Sequence, residues 1–135
     1  MWFPYRFSHD KVREASYGLI PERERSTFHH NIGMLLYYAT QGQDIDSIVF
    51  LMVDQINHGS IEDYQERVNI AELNHRAASI AMGNSNFSAA YFYSCAAKKL
   101  LPQGHWEGQY ELSLKIFLVM GNSSYADGHI SEATR

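Results

Sequence analysis

The stretch from Ser60 to Gly83 constrains the fold of this chain most. Read as one helix, it carries two apolar stripes. Tyr64, Val68, Ala71 and Ala78 line one side; Ile70, Leu73, Ala77 and Ile80 line another. A helix on the outside of a globule needs a single stripe. Two stripes call for neighbours on both sides, and so for a layered stack of helices. The flanking segments carry helical periodicity too. Glu22 to Thr40 places Phe28, Ile32, Leu35, Leu36 and Ala39 on one stripe, with Glu22 and Glu24 at its positive end. Asp44 to Asn57, capped by Asp44 or Asp46, places Ile45, Ile48, Val49, Met52 and Ile56 on another. Ser60 is the expected cap of the two-striped helix, with Asp63 in the third helical position of a partial capping box. Further helices are expected over Phe87–Leu101 and Trp106–Ala126. The latter gathers Trp106, Tyr110, Leu114, Phe117, Leu118 and Tyr125 on one side. A seventh helix is expected to begin at His129, after a turn at Gly128. Ahead of them all, Phe3, Tyr5 and Phe7 share a face of a short strand. Lys11 to Leu19 then reads as a helix capped by Ser8 and stopped by Pro21.

The turns carry a repeated mark. Ser85, Phe87 and Ala90 match Gly128, Ile130 and Ala133 in type and spacing, and Ala97 and Pro102 complete the first unit. The small residues let two helices cross closely, the bulky residue plugs the groove, and the proline ends the unit. The pattern resembles a degenerate tetratricopeptide-type repeat. Its spacing exceeds the usual ~34 residues, which implies lengthened first helices. The expected fold is all-α, a solenoid of stacked helical hairpins.

Composition narrows the function. The chain has 135 residues and a net charge of −4, the wrong sign for a nucleic-acid surface. Its longest apolar runs, Ile48–Val53 and Ile116–Met120, fall far short of a membrane span. The single cysteine, Cys95, cannot close an internal disulfide and suits a reducing, cytoplasmic setting.

Five motifs then carry a resemblance over nearly the whole chain. They are Phe7-Ser8-His9-Asp10-Lys11-Val12 with Ala15, Tyr17, Leu19, Ile20 and Pro21; Arg25, His29, Ile32, Gly33 and Leu36; Asn57 with Gly59; Ala71-Glu72-Leu73-Asn74 with Ala77; and Leu100-Leu101-Pro102 with Trp106 and Tyr110-Glu111-Leu112. In this order the chain resembles the region following the P-loop ATPase domain, of AAA or STAND type, in large signalling ATPases. Those proteins join serine/threonine kinase-like, ATPase, helical-repeat and sensor histidine kinase parts. Two departures stand out. Ala77-Ala78 replaces the Ala-Gly frequent in the family, and GNSSYADGHIS is less regular than its usual acidic turn.

The resemblance implies two parts. Residues 1–40 would be the end of a winged-helix-like subdomain and a linking helix. Residues 41–135 would be a helical-repeat segment, truncated at its C-terminus, whose last helix leaves an apolar face open to self-association. It also implies that the chain is an internal piece of a longer protein. The segment would be non-catalytic and regulatory. It would couple the nucleotide state of the ATPase domain to a protein partner or a downstream kinase. ATP or ADP would belong to that parent, with no cofactor or metal in this segment. In the intact parent His9 would contact the nucleotide phosphates, since an imidazole N–H at a helix start adds a donor where anions are already favoured. The alternative is a free-standing tetratricopeptide-like adaptor that holds a peptide.

The remaining reactive side chains read as structural. His29 and His30 are adjacent and point about 100° apart on a helix, so they cannot chelate as an i, i+4 pair. His58, His75, His105 and His129 are scattered, and Cys95 lacks a base at fixed spacing. Trp106 and Tyr110 are expected to pack in the core.

Overall fold

The structure is a computed structural model describing residues 18–133. Within them it is all-α: α1 (Glu22–Ala39), α2 (Val49–Ile56), α3 (Tyr64–Gly83), α4 (Phe87–Leu100), α5 (His105–Gly108) and α6 (Tyr110–Ala133). The strand expected at 3–7, most of the Lys11–Leu19 helix, and with them the winged-helix remnant, lie outside the described residues.

The expected two-faced helix is α3, and its two faces feed two separate cores. Ile70, Leu73, Ala77 and Ala78 join Met34, Ile45 and the α2 residues Val49, Met52, Val53 and Ile56. Val68 and Ala71 join Ala97, Leu101, Leu112 and Ile116. Only Ala78 changes sides, and Tyr64 stays exposed. α3 and α4, and α4 and α6, run antiparallel. The middle of α1 meets the end of α2 through His30 and Ile56. The start of α3 meets the end of α4 through Arg67 and Lys99. The end of α4 meets the start of α6, where Lys98 lies 5.6 Å above the Phe117 ring. The seams are made of small side chains. Ala71, Ala77, Ala78, Ala90, Ser94 and Ala97 are all fully buried, which lets neighbouring backbones come close.

The α3–α4 turn has three residues, each with a job. The Asn86 N–H donates to Ala81 O at 2.9 Å and the Ser85 N–H to Met82 O at 3.0 Å. These two bonds form a Schellman closure. It places Ser85 at φ +59°, the left-handed region, which costs a side-chain-bearing residue about 1 kcal/mol. Asn86 also caps α4, accepting from the Ala89 N–H at 3.3 Å.

Four boundaries differ from expectation. The helix expected from Asp44 begins only at Val49. The Asp44 carboxylate accepts the Asp46 N–H at 3.1 Å, and Asp46 in turn accepts from Arg76 Nε of α3 at 2.6 Å. The pair spends its carboxylates on a turn and a cross-tie rather than on a helix cap. Ser60 does not cap α3. Asp63 does, accepting the Glu66 N–H at 3.0 Å, while Ile61 is drawn into the core. The expected helix from Trp106 is broken at Gln109, where φ is −135° and ψ is 51°; His105 Nδ1 bonds Ser113 Oγ at 2.7 Å across the corner. Lastly, the turn and seventh helix expected at Gly128 are absent, because α6 runs through to Ala133. A glycine inside a helix costs only about 1 kcal/mol, and nothing presses on Gly128 to bend the chain there. The second copy of the repeat mark thus lies within one helix and is not a turn.

Replacing Ser85 by glycine should raise unfolding stability by about 0.5–1 kcal/mol in urea titrations, since glycine takes the left-handed conformation without strain. Loss of stability on this change would rule out the closure described.

Candidate interaction surfaces

Many of the residues that carry the resemblance meet at one joint between α1, α2, α3 and the loop 57–63. Gly33 lies so close to α2 that a Cβ there would sit 2.7 Å from the Ile56 backbone N. Gly59 lies against His30, where a Cβ would be 2.5 Å from the ring Cγ. His30 Nδ1 lies 2.7 Å from Ile56 O and so donates to it. His29 Nδ1 bonds Gln55 Oε1 at 2.7 Å, and its ring stacks on His58 with centroids 4.6 Å apart. At the centre Asn57 and Asn74 exchange amide bonds. Asn57 Nδ2 donates to Asn74 Oδ1 at 2.8 Å, and Asn74 Nδ2 returns the bond at 3.1 Å and also donates to Ile70 O at 3.1 Å. Asn74 is fully buried, and a side-chain amide there is tolerated because it is bonded. This pairing was missed in the sequence, though a signal was present. An asparagine three residues from both Ala71 and Ala77, inside an apolar stripe, calls for a buried partner.

Of the singled-out side chains, His9 lies outside the described residues. His29 and His30 pack as ties between α1 and α2. Among the described residues no group of three or more His, Cys, Asp or Glu is placed to hold a metal. Cys95 is half-buried beside Tyr91. Tyr93 donates to Asp54 Oδ1 at 2.7 Å, and burial, with that carboxylate second, raises its phenol above the ordinary range. His75 sits on α3 facing Lys115 of α6. Its Nδ1 is buried without a hydrogen-bond partner, and burial first, then the lysine, hold its pKa below the usual 6.5.

Trp106 and Tyr110 are not in the core; they are 46% and 57% exposed. Tyr110, Leu114 and Leu118 form an open apolar face on α6, while Trp106, on α5, leans on Phe117 at 5.2 Å between centroids. The first helix shows the same character. Of the stripe expected to enter the core, Leu36 packs against it, but Phe28, Ile32 and Leu35 face outward, while Gly33 and Met34 face in. The close approach of α2 falls on the side bearing Gly33, where a side chain would collide with Ile56.

Between the loop 57–61 and α4 runs a groove of about 290 Å³, lined mainly by Ile56, Ile61, Phe92, Ala96, Lys99 and Leu100. A recess of about 200 Å³ bounded by Asp54, Asn57, His58 and Phe92 shares Asn57 and Phe92 with it. No described helix is long and apolar enough to cross a membrane.

No family model matches the chain, and no solved structure matches it. It is similar to part of hybrid signal transduction histidine kinase G of Dictyostelium discoideum, at 28% identity over 157 aligned residues. The match covers 97% of this chain and 5% of that protein, so the chain spans a small fraction of the relative. The similarity supports a signalling context.

Two measurements check this geometry. Asn74→Ala strands the Asn57 amide and should lower stability by about 1–3 kcal/mol in chemical denaturation. Because the fold keeps His75 neutral, the unfolded chain takes up its proton first. Stability is then full above pH 6.5 and falls as pH drops through 6.5 toward the lower folded-state value. Thermal melts of His75→Gln should show less of that acid loss than the parent chain.

Proposed function

We propose that this is a non-catalytic, regulatory protein-interaction segment of a multidomain signalling ATPase or kinase, working in the cytoplasm. Its antiparallel hairpins are read as degenerate tetratricopeptide-like repeats that relay contact along the stack. In the longer protein, ATP or ADP would be held by an ATPase domain, with His9 at its phosphates, and this segment would pass the nucleotide state to a kinase domain or partner. One observation carries the reading: the outward faces of the first and last described helices, Phe28, Ile32 and Leu35 on α1 and Tyr110, Leu114 and Leu118 on α6, hold large apolar side chains in solvent. Exposed apolar faces of this kind mark contact surfaces. The similarity to a signalling histidine kinase supports the setting. A second reading, a free-standing adaptor, is favoured by the groove beside Phe92.

The double change Leu114→Glu, Leu118→Glu tests the first reading, because both side chains point outward and their loss should leave the helices intact. The isolated chain should associate with rising concentration in sedimentation velocity, and the variant should stay monomeric with unchanged circular dichroism. In the longer protein the same pair should weaken stimulated kinase output. A monomeric, dye-silent parent chain, together with unaltered output, would count for the adaptor instead.

A further inference from the structure

The groove beside α4 has a width fixed by one side chain. Arg67 donates through Nη1 to Ile61 O at 2.8 Å and through Nη2 to Lys99 O at 2.7 Å. Ile61 belongs to one lip and Lys99 to the other. Asn57, on the inner wall, is locked by Asn74. A slot held open in this way loses little order when filled, which favours binding. Its volume, about 290 Å³, sits at the lower limit of small-molecule sites, ~300–1,000 Å³. That is room for one or two apolar side chains rather than a whole cofactor.

The exposed parts of the groove give the occupant its character. Phe92 stands between the slot and the adjoining recess, 62% exposed, where an aromatic can anchor a partner. Lys99 lies two turns further along α4, about 10 Å away. It enters no ion pair among the described residues. The cation at that lip is complementary to an anion on whatever fills the slot. At the far end Asp54 supplies the opposite sign beside His58, which gives the groove a direction.

We propose that this groove binds a short linear segment of a partner protein. An apolar side chain would enter the slot beside Phe92, and a following carboxylate would reach Lys99. This deepens the interaction reading above by naming a site and a ligand chemistry, and it uses a surface separate from the end faces. The test is a chemical-shift titration of the full, ¹⁵N-labelled chain with two capped peptides, N-acetyl-Leu-Leu-Glu-amide and N-acetyl-Leu-Leu-Lys-amide. The first should give saturable shifts confined to the amides of Asn57, Gly59, Phe92, Cys95 and Lys99. The second should bind about fivefold more weakly, the scale of an exposed charge pair. Lys99→Glu should reverse that preference, and Phe92→Ala should abolish both signals. Both variants should keep the parent's helical circular dichroism, because both side chains are exposed. Failure to saturate at millimolar peptide, shifts outside the groove, or a charge preference indifferent to Lys99→Glu would overturn the proposal. The end faces are untouched by these changes, so an empty groove leaves their association intact, and a monomeric chain leaves the titration readable.

Discussion

The buried amide exchange between Asn57 and Asn74 is the interaction on which the rest of the structure depends. A carboxamide in an apolar layer destabilises a fold unless its donors and acceptors are matched. Here each partner supplies what the other lacks, and Ile70 O takes the remaining Asn74 donor. An apolar pair could fill the same space, but it would not fix the angle at which the chain leaves α2. With that angle set, Gly59 comes to rest on His30, Ile61 enters the core, and Arg67 can reach two carbonyls at once. The joint therefore gives α1 its seat and the groove its shape.

The residues that carry the family resemblance take on a physical meaning from this joint. Gly33, His29, Asn57, Gly59 and Asn74 are close-contact and hydrogen-bonding positions where α1, the loop and α3 come together. Their order along the chain reflects a way of docking helices onto one another. The signalling context comes from similarity to a histidine kinase of which this chain matches 5%. Among the described residues, the outward faces of α1 and α6 and the slot beside α4 expose apolar side chains.

Much of the architecture was legible because helical periodicity survives in the sequence. The two faces of α3 could be read from apolar spacing alone, and they sort into two cores much as that spacing implies. The α3–α4 turn was legible from the small residue Ser85 between two periodic stretches, but its left-handed closure and the Asn86 cap were not. Other features depended on partners far away in sequence. Whether Gly128 bends the chain depends on what lies against it, and among the described residues nothing comes within 4 Å of where its Cβ would stand. Asp44 could have capped a helix, but Arg76 recruits its neighbour Asp46. The outward stripes of α1 and α6 look like core stripes in sequence, because periodicity reports that a face is apolar and does not report what covers it. The site was legible less far. His58 stacks on His29 across a gap of almost thirty positions, and no local pattern foretells that contact.

The three-residue turn at Asn84–Asn86 has a mechanical consequence. With its amides bonded back onto α3 and its asparagine holding the start of α4, it contains no slack. α3 and α4 must therefore travel as one lever. The connection between α1 and α2 is longer, and it is tied to α3 by the Asp46–Arg76 pair. Displacing the start of α4 would therefore carry the end of α3 with it, because the turn between them holds no spare length to absorb the movement.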